Sequence, residues 1–256
     1  MFSIGVSSMA KIYLVILLVS VLFVGSCKKS EQEGVSENNQ TESAGAETGG
    51  ETSQNKESEM VAIDLKLPKP MFVGTPQNIN VPRLQKPLGR PRPPFLAPAG
   101  TANVAFGKPV FSSEVEPIIG EIEMVTDGEK KGTDGSYVEL GPFLQHITID
   151  LGAEYDIYAV VLWHFHKQAS VYFDVIVQLA DDGDFITNVS TIFNNDIDNS
   201  AGLGIGEDLH YVETFEGKLI DAEGRRARYV RCYSSGNNSN DLNHYIEVEV
   251  YGKAAK

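Results

Sequence analysis

The stretch Ile147–Trp163, "ITIDLGAEYDIYAVVLW", decides the fold. Its first part alternates: Ile147, Ile149 and Leu151 are apolar, while Thr148 and Asp150 are polar. Residues two apart on a strand share a face, so this reads as a half-buried strand. Gly152 stops it. A second apolar run, "YAVVLWHFH", opens at Tyr158. Outward along the chain the pattern recurs. "VYFDVIVQLA" from Val171 ends at "DDGD", and "STIFNN", "HYVETFE", "ARYVRCYSS" and "HYIEVEVYG" follow. Helical periodicity of any length is missing, and there is no internal repeat. Many short strands at this spacing predict an all-β sandwich or barrel.

The N-terminus bears on location. Lys11 precedes an apolar run from Ile12 to Val24, then Gly25, Ser26 and Cys27. A basic residue, a short apolar core and small residues at its end make a secretory signal rather than a membrane span. The small pair before the cysteine resembles a bacterial lipobox. On that reading residues 1–26 are a lipoprotein signal peptide and Cys27 is the lipidated first residue. The alternative is an ordinary signal peptide with a chance cysteine. An aspartate after the cysteine would favour the inner membrane. Lys28 stands there instead, which leans toward the outer membrane or cell surface of a bacterial envelope. The remaining cysteine, Cys232, has no disulfide partner once Cys27 is acylated. It alternates in register with Val230 and reads as a small buried apolar residue.

Residues 27–60 are rich in Glu, Ser, Gly, Thr and Asn and nearly devoid of apolar side chains. Such a segment cannot bury enough surface to offset its ordering entropy, so it reads as a disordered acidic tether. Residues 61–100 hold nine prolines and are basic where the tether is acidic. Proline fixes φ and removes a donor, which disfavours helix and central strand. Yet Leu65, Leu67, Met71, Phe72, Val73, Phe95 and Leu96 are too apolar for a plain linker. They predict an extended arm on the surface of the domain that follows; the other reading is a disordered linker. Residues 101–256 have the length of one domain. There, 26 Asp and Glu stand against 11 Lys and Arg. That balance excludes nucleic acid and anionic lipid surfaces as partners, and suits cations and neutral ligands. Contact with the membrane is then through the lipid anchor only.

Several motifs fall in one order: "NVAFGKPVFSS" at Asn103, "TDGEKKGTDGSYVEL" at Thr126, "ITIDLGAEYDIYAVVLW" at Ile147, "ARYVRCY" at Ala227 and "YIEVEVYG" at Tyr245. Together they resemble the discoidin domain, also called the coagulation factor 5/8 type C domain. Bacterial family 32 carbohydrate-binding modules belong to the same group. The resemblance spans roughly Asn103 to Gly252. It implies a galactose-binding-domain-like jelly-roll β-sandwich with its terminal strands side by side, and binding rather than catalysis. It also implies a structural Ca²⁺ between an early Asp-Gly loop and a glutamate of the last strand. The matching positions are Asp127, Thr133 and Glu247. The loop is longer than usual, which puts Thr133 in question. Calcium takes six to eight oxygen ligands, and a Gly- and Asp-rich loop exposes carbonyls readily. The plain alternative is that Asp127 caps a turn and Glu247 is a solvated strand residue.

"NNDIDNSAGLGIGE" from Asn194 is a second acidic loop. It fails an EF-hand count, because Ala201 stands where glycine is required and no helices flank it. His164 and His166, two apart, are expected on one strand face with His244 nearby. There is no H-E-x-x-H and no cysteine pair, so a metal-dependent hydrolase is the weakest reading. Two others remain. The histidines are half-buried strand residues with satisfied nitrogens, or they belong to a ligand platform. A sugar site needs aromatic faces for the ring and planar polar groups for its hydroxyls. Three loops offer such groups: His164, His166 and Lys167; Asn194, Asn195 and Asp196; and Asn243, His244 and Tyr245. Trp163 is expected beneath them. The sequence thus favours a lipid-anchored module that captures carbohydrate. The alternative is a protein–protein adhesion or scaffold module docking an envelope partner.

Overall fold

The computed structural model describes residues 59–74 and 79–255. The signal segment, Cys27 and almost all of the acidic tether lie outside the described residues. The all-β expectation holds: the helical content of the described residues is one 3-10 turn, Ile122–Thr126. The strands are β1 (Met60–Ala62), β2 (Leu96–Pro98), β3 (Ala102–Asn103), β4 (Val110–Ser112), β5 (Val138–Leu140), β6 (Gln145–His164), β7 (Ile176–Ala180), β8 (Ser190–Asn194), β9 (Lys218–Ser234) and β10 (Asn243–Ala254). The main sheet runs β3-β10-β6-β9-β7-β8 with all pairings antiparallel; β4 adds to β6 and β5 to β10. β3 lying beside β10 brings the two ends of the domain together.

Two very long strands make the sandwich. β6 and β9 pair along their whole lengths, but the register breaks between Asp150 and Tyr155. Gly152 takes φ +82° there, where a side chain would be strained. Asp150 caps the bend by accepting the Gly152 N–H at 2.8 Å, and Arg228 holds the same carboxylate with two contacts of 2.8 Å. The strands therefore fold over, and each has both ends at the same end of the molecule. The inner faces close on one core that mixes both halves: Ile147, Ile149 and Leu151 with Val160, Leu162, Val230, Val248 and Val250.

The outer face of the second half of β6 is also covered. Ala159, Val161 and Trp163 join Ile246 and Tyr251 in a second cluster against Ile63, Leu65 and Phe95. Those last three belong to the Pro-rich segment. Its ends pair as β1 and β2, the Ile63 N–H donates to the Phe95 carbonyl at 3.0 Å, and Lys253 Nζ donates to the Ala99 carbonyl at 2.8 Å. Burial on both faces explains why "VVLW" is continuously apolar instead of alternating.

Two strand expectations need correction. "VYFDVIVQLA" is strand only from Ile176, with a single antiparallel bridge from Tyr172 to Asn237 before it, and "HYVETFE" is no strand beyond a single parallel bridge from His210 to Leu84. Both segments bend to seat buried polar side chains, Tyr172 in one and Glu213 in the other.

Candidate functional site

Because β6 and β9 double back, the loops around 113–119, 141–144, 165–174 and 235–242 meet at one end of the sandwich. The residues expected to form a ligand platform do converge here, but below the surface. His164, His166, Asn195, Asp196, Asn243 and Tyr245 each have 0% exposure. A side chain without accessible surface touches no ligand, so these six are not a recognition face. His244 at 6% and Asn194 at 8% share their position. Of the nine, only Lys167 reaches solvent, where it pairs with Asp134 at 2.5 Å.

The buried set forms a hydrogen-bonded layer closing the core. His164 stacks on Tyr172, with centroids 4.2 Å apart and planes 14° apart, and its Nδ1–H donates to Glu213 at 2.6 Å. His244 donates from Nε2 to Glu139 at 3.0 Å and accepts the Tyr172 hydroxyl on Nδ1 at 2.9 Å. Burial lowers the His244 pKa, and the Glu139 carboxylate opposes that shift. Tyr245 shares its hydroxyl with Ser234 at 2.8 Å. Asn195 accepts the Val175 N–H at 2.7 Å, and Asp196 caps its own turn by accepting from Ser200 and Ala201. Asn194 Oδ1 accepts the Asp196 N–H at 2.8 Å.

His164 and His166 do not share a face. β6 ends at His164, so the two-residue alternation ends with it. His166 turns instead to the 126–133 loop and donates from Nε2 to the Lys130 carbonyl at 2.9 Å. Trp163 lies beneath, fully buried, with Nε1–H donating to the Phe215 carbonyl at 3.0 Å.

That same loop holds the residues expected around calcium. Glu247 faces it from β10, is completely buried, and accepts the Gly128 N–H on Oε2 at 3.1 Å. Its Oε1 is buried without a partner. Burial pushes the Glu247 carboxyl up to about 9, and the charges of Glu249 and Asp127 push the same way. Asp127 Oδ1 accepts the Glu129 N–H at 2.7 Å, and the Thr133 hydroxyl bonds Ser136 at 2.7 Å. A buried carboxylate with an idle oxygen facing an Asp-Gly loop is the donor chemistry calcium takes. Asp127 and Glu247 fit it. The Thr133 hydroxyl is engaged with Ser136, so Thr133 fits less well. A second carboxylate group, Asp174, Asp196 and Asp198, brings one oxygen from each within 4.8 Å of the others, and Asp174 Oδ2, Asp198 Oδ1 and both Asp196 oxygens accept hydrogen bonds from Ser200 or Ala201.

The exposed rim of this end is different in kind. Phe143 is 81% exposed at φ +70°, a left-handed conformation that an aromatic residue rarely adopts. Asn243 holds it there. Asn243 Nδ2 donates to the carbonyls of Gly141 at 2.8 Å and Phe143 at 3.0 Å. Its Oδ1 accepts from Ser234 Oγ and Gly236 N, each at 2.8 Å. All four of its hydrogen-bonding capacities are therefore satisfied, and the 141–143 turn is tied to the 235–242 loop. On that loop Asn238, Ser239, Asn240 and Asp241 are exposed. Sequence reasoning missed Phe143. Its signal was an aromatic residue in the "LGPFLQ" turn, where the chain offers nothing for it to pack on.

No protein-family model and no curated protein matches the chain. Solved structures do. The chain is similar to a fucose-binding module of Streptococcus pneumoniae, at 19% identity and a TM-score of 0.44 over 60% of this chain and 98% of that one. It is similar to chitosan-binding module 1 of a chitosanase/glucanase from Paenibacillus sp. IK-5, at 21% identity and a TM-score of 0.42 over 59% and 98%. A family 89 glycoside hydrolase of Clostridium perfringens matches at 18% identity and a TM-score of 0.43 over 60% of this chain. The match spans 15% of that hydrolase's length.

Proposed function

We propose that this protein is a lipid-anchored, non-catalytic carbohydrate-binding module of the bacterial cell envelope, with Ca²⁺ as a structural ion. The observation that carries the reading is Phe143. An aromatic ring standing 81% exposed, in a strained backbone conformation pinned by a fully satisfied buried asparagine, is a preorganised platform. Amide and carboxylate side chains on the adjoining loop supply the planar donors and acceptors that sugar hydroxyls need. The histidines expected to serve a hydrolase are buried instead, with His164 committed to Glu213 and His166 to a carbonyl. Asp127 and Glu247 would hold calcium, which supplies charge that lets a buried carboxylate stay ionised. Cys27 would carry the lipid.

The test is a glycan array followed by calorimetric titration of the strongest neutral ligand. Phe143→Ala should weaken binding about tenfold or more, the scale of a lost aromatic stacking surface. Melting should be unchanged, since the ring is 81% exposed and alanine keeps the Cβ on which the backbone strain depends. An array without signal, or a variant that binds like wild type, defeats the reading.

A further inference from the structure

The Pro-rich segment leaves a groove of about 580 Å³ where it passes residues 211–219. That volume lies in the roughly 300–1,000 Å³ range of small-molecule sites. Arg92 fixes the segment: its guanidinium donates to the carbonyls of Glu216 and Gly217, each at 2.8 Å. Phe72, Leu88, Pro91 and Phe215 give the groove apolar walls. Four cations line it, Lys86, Arg90, Arg92 and Lys218, against one carboxylate, Glu216. That carboxylate already accepts the Arg92 backbone N–H at 3.2 Å. Lys218 lies over the rings of Phe193 at 4.7 Å and Tyr211 at 4.8 Å, and burial lowers its pKa. Lys86 and Arg90 are exposed.

The placement runs against the chain as a whole, whose net charge is −14. Residues 61–100 hold six Lys and Arg and one Asp. The excess of cations over the single carboxylate makes a local field that draws anions. A neutral sugar has no use for it. We infer that this groove is a second binding site, taking an acidic saccharide that bears a uronate carboxylate or a sulfate. Lys86 and Arg90 engage the anion, and Phe72 and Phe215 lie against the ring. The saccharide class rests on the carbohydrate reading above, whereas the groove and its charge do not.

The experiment titrates the full chain with tetragalacturonate, a sulfated tetrasaccharide, a neutral galactose tetramer and a short polyglutamate peptide. The two acidic saccharides separate carboxylate from sulfate. At least one should bind, weaken as salt rises from about 50 to about 300 mM, and lose about tenfold or more in Lys86→Ala/Arg90→Ala. Phe143→Ala should leave that binding within about twofold. Both cations are exposed, so melting curves should match wild type and serve as the control. Acidic saccharides that bind the double variant as they bind wild type overturn the inference, as does polyglutamate binding more tightly than either. A chain that binds neutral but not acidic saccharides sinks the groove and leaves the Phe143 platform standing. A chain that binds no saccharide sinks both.

Discussion

Glu247 gives the sharpest prediction, because two effects of one substitution have opposite signs. In the folded protein burial holds its carboxyl up to about 9. In the unfolded chain it titrates at the ordinary value of about 4.5. A raised acid favours the folded state at low pH, where both forms are protonated. Stability is lost as pH rises from about 4.5, since the unfolded chain ionises and the folded one does not. Each pH unit costs about 1.4 kcal/mol, so at pH 7.5 the ceiling is about 4 kcal/mol. Relaxation around an unpaired buried group brings realised costs nearer 1–3 kcal/mol. Glu247→Gln keeps the shape and the Gly128 contact but cannot ionise. In chelator at pH 7.5 the variant should therefore be more stable than wild type by about 1–3 kcal/mol. Calcium at a hundredfold excess over Kd should return about 2.7 kcal/mol to wild type and little to the variant. The variant's lead should therefore vanish, and the ranking crosses over wherever that lead is below about 2.7 kcal/mol. The assay is denaturant unfolding followed by the fluorescence of Trp163, which lies opposite Glu247 in the β6–β10 ladder. A variant less stable than wild type in chelator refutes the desolvation argument, and a wild type indifferent to calcium refutes the metal site.

Three further outcomes follow from the same structure. His164→Ala strips the partner from Glu213, whose side chain has 0% exposure, so it should cost about 3–5 kcal/mol and lower Tm by roughly 6–20 °C; unchanged melting with weakened ligand binding would restore the histidine to a recognition role. Burial and the Arg231 charge hold His146 down at about 4, so the unfolded chain takes up a proton first as pH falls from about 6.5, and stability drops until about pH 4. Between pH 7 and 5 wild type should lose about 1–2 kcal/mol more than His146→Gln in chemical denaturation, and parallel curves would contradict this. Cys27→Ser should abolish both lipid labelling and membrane association, and wild type recovered soluble and unacylated would remove the anchor.

The fold was legible because its signals are local and redundant. Alternation at Ile147–Leu151, the Asp-Leu-Gly stop and the paired runs at Ala227 and Tyr245 each point to antiparallel strands. The doubling-back of β6 was not legible. It depends on Arg228 reaching across to Asp150, 78 residues earlier in the chain. One clue to the covered outer face was in plain view: Ala159–Trp163 is apolar without a break, and an uninterrupted run demands partners on both sides. The Pro-rich segment, with apolar residues that no linker needs, supplies them through Ile63, Leu65 and Phe95.

The candidate site was harder to read for a physical reason. Histidine, asparagine and tyrosine are the residues that bind sugars, and they are also the residues that fill a buried polar layer, because each can donate and accept at once. Composition cannot separate the two uses; only depth can. His164, His244 and Asn243 sit where strands end, and strand ends are where both roles are found. What marks Asn243 as structural is satisfaction. Asn243 makes four hydrogen bonds within the chain, so it has none left for a ligand, and its contribution is to fix the backbone of Phe143. The sequence reasoning thus pointed to the end of the sandwich that carries the proposed platform, but to residues of its buried layer. The exposed layer is built from residues that looked dispensable: an aromatic in a Gly-Pro turn and a run of Asn, Ser and Asp before the last strand. Replacing Asn243 by alanine separates the layers experimentally. It leaves the carbonyls of Gly141 and Phe143 without their donor and should cost about 1–3 kcal/mol of stability. It should also loosen Phe143 and weaken glycan binding, although Asn243 itself has 0% exposure. Weakened binding with the Phe143 ring still in place would mean that Asn243 reaches the ligand directly, and the layering argued here would fail.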